Sequence, residues 1–184
     1  MTKRFARARL AAVAAALAVT AGLTSACGGG AAAVDVAANQ AISVPPVLGG
    51  LEVSAEPKAT ERAKKEAAQD SYAADIQVFS LRKAKELRAV LQVIRLTPDA
   101  RPEDREFRRE VIGKIGGTTR APEKIAETLV YRAKDNQKVI NLWFKGRFML
   151  VLIVREAETV AGVDPGVNSQ QVLVEALSLE PQNA

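Results

Sequence analysis

The stretch KVINLWFKGRFMLVLIVRE, residues 138–156, carries the strongest fold signal in this chain. Two apolar runs flank a short connection at residues 145–146 that contains a glycine, a pattern typical of a β-hairpin. The second run, 148–154, is apolar without interruption, which predicts a central strand buried on both faces. In this register Trp143 would face Phe148 across the two strands as an aromatic pair. We therefore expect an antiparallel sheet built around this hairpin.

Upstream, the sequence predicts a second hairpin, a helix and a further strand. Residues 74–82 alternate between apolar and polar side chains, and residues 86–96 become rich in β-branched residues, so the two segments read as paired strands. A third strand is predicted at 128–132. The segment 101–115 has acidic residues at its start and two glycines after its end, as helices do. One stripe of this helix is apolar, with Phe107, Val111, Ile112 and Ile115.

The C-terminal segment VNSQQVLVEALSLEP, residues 167–181, predicts a second amphipathic helix that ends before Pro181. The element order is then ββαβββα. This order predicts an α+β fold in which an antiparallel sheet of about five strands carries two helices on one face. The domain is expected to span residues 71–184.

The composition argues against most catalytic and metal-binding chemistry. The chain has no histidine and one cysteine, which removes the commonest general base and the usual catalytic triads. The glycines of GKIGGTT, residues 113–119, follow a helix, whereas those of a phosphate-binding loop precede one. The charged residues at 103–110 read as surface ion pairs. We predict no catalytic residue, no cofactor and no metal site, and we expect no enzyme.

Three aromatic residues in the central hairpin are the candidates for a ligand or partner face. Trp143, Phe144 and Phe148 lie in adjoining predicted strands. They could form part of the core, or they could line a groove on a sheet face that helices leave open. The sequence leaves both interpretations open.

The N-terminus has the pattern of a secretory signal peptide. MTKRFARARL is basic, residues 10–26 carry no charge, and small side chains lead to Cys27. A retained membrane anchor is the alternative, but the apolar run is short for a bilayer span, which needs about 20 residues. A stray cysteine in an ordinary signal peptide is a further alternative. With no second cysteine in the chain, Cys27 cannot form an internal disulfide.

The residues LTSAC, 23–27, resemble the lipobox of bacterial lipoproteins, with Leu23 one position earlier than that family prefers. This resemblance implies that Cys27 is acylated and becomes the first residue after cleavage. The Ala/Arg-rich signal, the stretch IGGTT and the hairpin LWFKGRFMLVLIVRE resemble small conserved lipoproteins of high-GC Gram-positive bacteria. The order of strands and helices is also similar to that of PsbP-type domains.

Residues 27–70 predict a tether between the lipidated Cys27 and the domain. The segment begins rich in Ala, Gly and Pro, a composition typical of flexible linkers. Its last part, PKATERAKKEAAQD at 57–70, has charge pairs at i,i+4 spacing. This part could be a short exposed helix or a solvated charged linker.

The net charge of +5 overstates the basic character of the mature protein. Four of the 26 Lys and Arg residues and none of the 21 Asp and Glu residues lie in residues 1–26, so cleavage leaves about +1. Nucleic acid binding needs a basic surface, and we expect no nucleic acid partner.

Together these features predict a protein held on the extracytoplasmic face of the cell membrane by acyl chains on Cys27. We expect a non-enzymatic binding or accessory module for an unknown protein or cell-envelope component. A carrier that holds lipid or another apolar ligand on the Trp143 and Phe148 face is the first alternative, and an envelope enzyme is the second.

Overall fold

The protein has an α+β fold built on one antiparallel sheet. The computed structural model describes residues 40–115, 118–119, 121–135, 138–155 and 169–183. The predicted signal peptide, including Cys27, lies outside the described residues.

The elements alternate between short runs of strands and single helices along the chain. The strands are β1 (Gln40–Ile42), β2 (Val47–Leu48), β3 (Leu51–Ala55), β4 (Ala73–Lys83), β5 (Glu86–Leu96), β6 (Thr118–Thr119), β7 (Glu123–Ile125), β8 (Thr128–Asp135), β9 (Lys138–Lys145), β10 (Phe148–Arg155) and β11 (Pro181–Asn183). The helices are α1 (Pro57–Ala67), α2 (Arg105–Ile115) and α3 (Ser169–Leu177).

The sheet is larger than the sequence predicted. Across the described residues its eight strands run in the order β2-β3-β4-β5-β10-β9-β8-β6, every pair is antiparallel, and β7 pairs with β8 outside this path. The prediction of about five strands is therefore wrong in number, because β2, β3, β6 and β7 are too short to show a periodic pattern. A separate pair, β1 with β11, joins the two ends of the described chain.

Strand β10 is the centre of the sheet, between β5 and β9. Leu150, Leu152 and Val154 are buried on one face, and Met149 and Val151 are buried on the other, so the predicted burial on both faces is confirmed. We call the first face the α3 face, because Val172, Leu173, Ala176 and Leu177 of α3 pack on it. We call the second the α1–α2 face, because Ala63 and Ala67 of α1 and Val111 of α2 pack on it.

The prediction that both helices lie on one face is wrong. Helix α2 places Val111, with Phe107 and Ile112 beside it, on the opposite face from α3. The reason is β10 itself, since a strand that is apolar on both faces needs a cover on each side. The side chain of Ile115 and the two glycines after α2 lie outside the described residues.

The two predicted hairpins are both present. The β4–β5 hairpin turns through Ala84 and Lys85, which both have positive φ as a type I′ turn requires. The β9–β10 hairpin turns through Gly146 and Arg147, one residue later than expected, because Gly146 takes the first turn position with φ 55°.

This later turn changes the register of the central hairpin. Trp143 pairs with Leu150, and Phe148 pairs with Lys145, so the predicted pairing of Trp143 with Phe148 is wrong. The shift moves each partner by two residues, which leaves Trp143 and Phe148 on the same face of the sheet. Both belong to the core beneath α3.

The domain begins before residue 71, so the predicted tether boundary is corrected. Residues 51–55 form β3, which pairs with β4, and residues 57–67 form α1, which packs on the sheet through Ala63 and Ala67. The sequence did not predict this docking, because small alanines give only a weak apolar stripe. Buried alanines nevertheless allow a helix to approach a sheet closely.

The β2–β3 turn forms a tight contact with α3. Gly49 has φ 59°, and a Cβ there would lie 2.5 Å from Cγ2 and 2.7 Å from Cα of Val172. The amide of Gly49 donates a hydrogen bond to the Glu175 carboxylate of α3. The neighbouring Gly50 also has positive φ, at 75°, but has no other atom within 4 Å of its Cβ position.

Truncation of the core should destabilise the protein strongly. Leu152 is 0% exposed under α3, and we expect Leu152→Ala to lower the free energy of unfolding by about 2–5 kcal/mol. Val174 is 42% exposed on α3, and Val174→Ala should change it by less than about 0.5 kcal/mol. Urea unfolding followed by circular dichroism measures both. A small loss in Leu152→Ala would contradict the described core.

The two turn glycines offer a matched pair of substitutions. Gly50→Ala should cost about 1–2 kcal/mol, because only the left-handed backbone penalises a side chain there. Gly49→Ala should cost clearly more, because its Cβ also overlaps the Val172 backbone. Equal losses in thermal unfolding would show that α3 does not rest on this turn.

Candidate functional site

Beyond the end of β3, the start of helix α1 forms hydrogen bonds with the edge of β4 in place of a strand. The amide of Glu56 donates to the carbonyl of Val78 at 2.9 Å, and the amide of Val78 donates to Oγ1 of Thr60 at 3.0 Å. Two backbone groups of β4 that a longer β3 would have paired are thus satisfied by the first turn of α1. This exchange places α1 over only part of the α1–α2 face.

A groove of about 500 Å³ lies between α1 and the β4–β5 hairpin. Its floor is a square of cross-strand partners, in which Val78 is opposite Gln92 and Ser80 is opposite Val90. The volume falls within the range of ligand-binding clefts. The other described residues that line it are Glu56, Lys58, Ala59, Arg62, Phe79, Arg82 and Leu87.

Gln92 is the distinctive residue of the groove floor. Its side chain comes from the centre of an apolar strand and is 8% exposed, yet its amide makes no hydrogen bond to any described residue. Among the described residues, the buried side-chain atoms without a hydrogen-bond partner are Oε2 of Glu66, Nε of Arg88 and Nε1 of Trp143, so the amide of Gln92 is not sealed inside the protein but opens into the groove. A protein that keeps such a group on the floor of an open groove has an amide available for a ligand.

Arg82 organises the hairpin end of the groove. Its Nη1 donates to the carbonyl of Lys85 in the turn at 3.3 Å, its Nε donates to Oγ of Ser80 at 3.3 Å, and its Nη2 donates to Oε1 of Glu56 at 3.2 Å. Hydrogen bonding by Ser80 and then by Arg82 holds the pKa of Glu56 below its ordinary value. The Ser80 hydroxyl also donates to the Ser54 carbonyl at 3.5 Å, at the limit for a hydrogen bond.

Helix α1 supplies two cations to the opposite rim. Lys58 and Arg62 are one helical turn apart, and Ala59 beside them forms a low wall. Lys58 has no hydrogen-bond or ion-pair partner among the described residues. Arg62 is bound to Glu66 through Nε at 3.0 Å, with 71% of its side chain exposed. The two cations of this rim therefore make fewer hydrogen bonds and ion pairs within the protein than Arg82 does.

The three aromatic candidates do not form one face. Trp143 is 0% exposed and Phe148 is buried with it under α3, so the core interpretation describes them. Phe144 points to the other face and joins a cluster with Phe107 and Tyr131, at ring-centroid distances of 6.1 and 6.4 Å. The prediction of a shared ligand face at Trp143, Phe144 and Phe148 is corrected accordingly.

A second cavity, of about 370 Å³, lies between β7, β8, β9 and the start of α3. Its polar groups satisfy one another. Nε of Arg132 donates to Oδ1 of Asn141 at 3.0 Å, and Nη1 of Arg132 donates to Oε2 of Glu123 at 3.2 Å. Since Asn141 also reaches the carbonyl of Leu152 at 3.5 Å, this cavity presents no unused buried polar group among those residues.

Sequence reasoning missed the groove, although two signals pointed to it. One was Gln92, a polar residue within the apolar stretch AVLQVI of β5. The other was the spacing of Lys58 and Arg62 around Ala59 in the segment interpreted as a linker or an exposed helix. Neither signal specifies a groove until α1 is docked on β4.

We also looked in the described residues for a metal site and for a membrane-spanning helix, and compared the chain with known proteins. Within the described ranges, no group of three or more Asp, Glu, His or Cys side chains could hold a metal ion. No helix in that part of the chain has the length and apolar character needed to cross a membrane. No protein-family model, curated protein or solved structure matches the chain.

The depressed pKa of Glu56 predicts a pH dependence of stability. Its ionised form stabilises the fold above the unfolded-state pKa, and this contribution is lost as the pH falls through the lower folded-state pKa. Glu56→Gln should have a lower Tm than the wild type at neutral pH, and the difference should shrink from about pH 5 downward. The exposed Glu103→Gln variant is the control and should follow the wild type. A gap that stays constant with pH would contradict this role.

Proposed function

We propose that the protein is a lipid-anchored, extracytoplasmic and non-enzymatic binding module whose groove holds part of a protein or cell-envelope partner. The observation that carries this proposal is the unpartnered Gln92 amide on the floor of an open groove. An amide in this position has a use when a ligand completes its hydrogen bonds.

The proposed membrane anchor rests on the N-terminal pattern. A basic start, an uncharged run and small residues lead to the only cysteine, Cys27. Strand β1 begins at Gln40, and the intervening residues 28–39 can span at most about 40 Å. The groove would then be held near the membrane surface, within reach of a membrane-bound or envelope partner.

A binding role, as opposed to a catalytic one, agrees with the chemistry of the groove. Its acidic residue, Glu56, is paired with Arg82 and has a lowered pKa, which makes it a poor proton donor at neutral pH. The chain has no histidine, and its one cysteine is the proposed lipidation site. The described lining residues therefore suit recognition better than proton transfer.

Cys27→Ser should abolish the anchor. The wild-type protein should incorporate labelled fatty acid and partition into the detergent phase of a Triton X-114 extraction. The variant should lose the label and move to the aqueous phase, because one cysteine carries all the acyl chains. Labelling that survives the substitution would overturn the proposed anchor.

Partner binding in the groove is testable by site-specific crosslinking in the native cell. A photo-crosslinking amino acid in place of Ala59 should give a discrete protein or envelope adduct. The same group in place of Lys65, an exposed residue of α1 that does not line the groove, should not. Gln92→Met should weaken the adduct at position 59. Equal adducts at positions 59 and 65 would contradict binding in the groove.

A further inference from the structure

Resting on this proposed function, we propose that the partner of the groove is an extended, acidic peptide segment of another protein. Its backbone would bind the Gln92 amide, its apolar side chains would lie on the groove floor, and its carboxylates would face Lys58 and Arg62. Three independent properties of the groove support this class of ligand.

The first property is the double requirement of the Gln92 amide. Its Nε2 can donate to an acceptor and its Oε1 can accept from a donor, since neither has a partner among the described residues and both open into the groove. A peptide group offers a carbonyl and an N–H along the same strand. A fatty acid carboxylate offers only acceptors and would leave Oε1 unsatisfied, which argues against a simple lipid ligand.

The second property is the charge of the rim. Among the described lining residues, Lys58, Arg62 and Arg82 are basic and Glu56 is acidic. Arg82 and Glu56 neutralise each other at 3.2 Å and Arg62 is paired with Glu66 at 3.0 Å, so the uncompensated charge of the described lining lies on the α1 side at Lys58, beside the largely exposed Arg62. Two exposed cations one helical turn apart complement carboxylates on one edge of an extended chain.

The third property is the arrangement of apolar surface. Val78 and Val90 lie diagonally on the floor, and Ala59 and Leu87 form parts of the walls. Successive side chains of an extended peptide point to opposite sides. A segment in which apolar and acidic residues alternate would place the apolar set on this floor and the acidic set toward the rim.

The test uses the full-length chain carrying Cys27→Ser, which needs no membrane. The probe is a fluorescein-labelled eight-residue peptide that alternates Val and Glu, and its control has Lys in place of each Glu. Fluorescence anisotropy should show saturable binding of the acidic peptide, with at least about tenfold weaker binding of the basic one. Binding of the acidic peptide should weaken as salt is added, because exposed charges are screened.

Variants locate the binding. Lys58→Glu and Arg62→Glu should each weaken binding of the acidic peptide by about tenfold, whereas Lys65→Glu makes the same charge change on α1 outside the groove and should alter it less than about threefold. Gln92→Met should weaken binding while leaving the salt dependence unchanged, because it removes hydrogen bonds and no charge. These substitutions are at exposed positions or keep the side-chain volume, so the fold should persist.

Three results would overturn the inference. They are no saturable binding of the acidic peptide, equal binding of the acidic and basic peptides, and equal losses in Lys58→Glu and Lys65→Glu. Displacement of the bound peptide by oleate at submicellar concentration would instead assign the groove to a lipid and would also overturn it. The anchor and the crosslink at position 59 are measured separately. A failure of the peptide test alone would therefore reject the acidic peptide as the ligand without rejecting the proposed binding function.

Discussion

The burial of β10 on both of its faces is the constraint on which the rest of this structure depends. Leu150 and Leu152 on one side and Met149 and Val151 on the other must all be kept from water. One layer of helices cannot cover both sides of a sheet, so α3 covers one face and α1 and α2 cover the other. The presence of helices on both faces of the described sheet follows from this requirement.

The candidate site arises because the second cover is incomplete. Helix α1 is fixed to the edge of β4 by Thr60 and Glu56, and its buried side chains are small. The part of the sheet that carries Val90 and Gln92 is therefore left as the floor of a groove. In the cavity near α3, by contrast, Arg132 and Asn141 bond to each other, which is how a polar cavity is stabilised without a ligand.

The sequence predicts the elements whose signal is local. Residues 148–154 predict the central strand, and the alternation near Ile76 predicts the first hairpin. In both cases the apolar pattern that indicates a strand lies in consecutive residues. A short helix at 57–70 was one of two interpretations left open, but its docking on the sheet was not predicted, because its contact surface is alanine and its docking depends on Val78, a residue in another element. The face that each helix covers depends on long-range packing that no local pattern specifies. The same packing decides where the groove lies and whether Trp143 belongs to the core or to a ligand face.

The most direct test of this account is the side-chain amide of Gln92, observed by ¹H–¹⁵N NMR and assigned by its loss in Gln92→Met. The account predicts that its two protons exchange rapidly with water in the free protein, because the amide faces an open groove without a partner. Slow exchange in the free protein would contradict the account, because it would show that the chain itself already satisfies this amide.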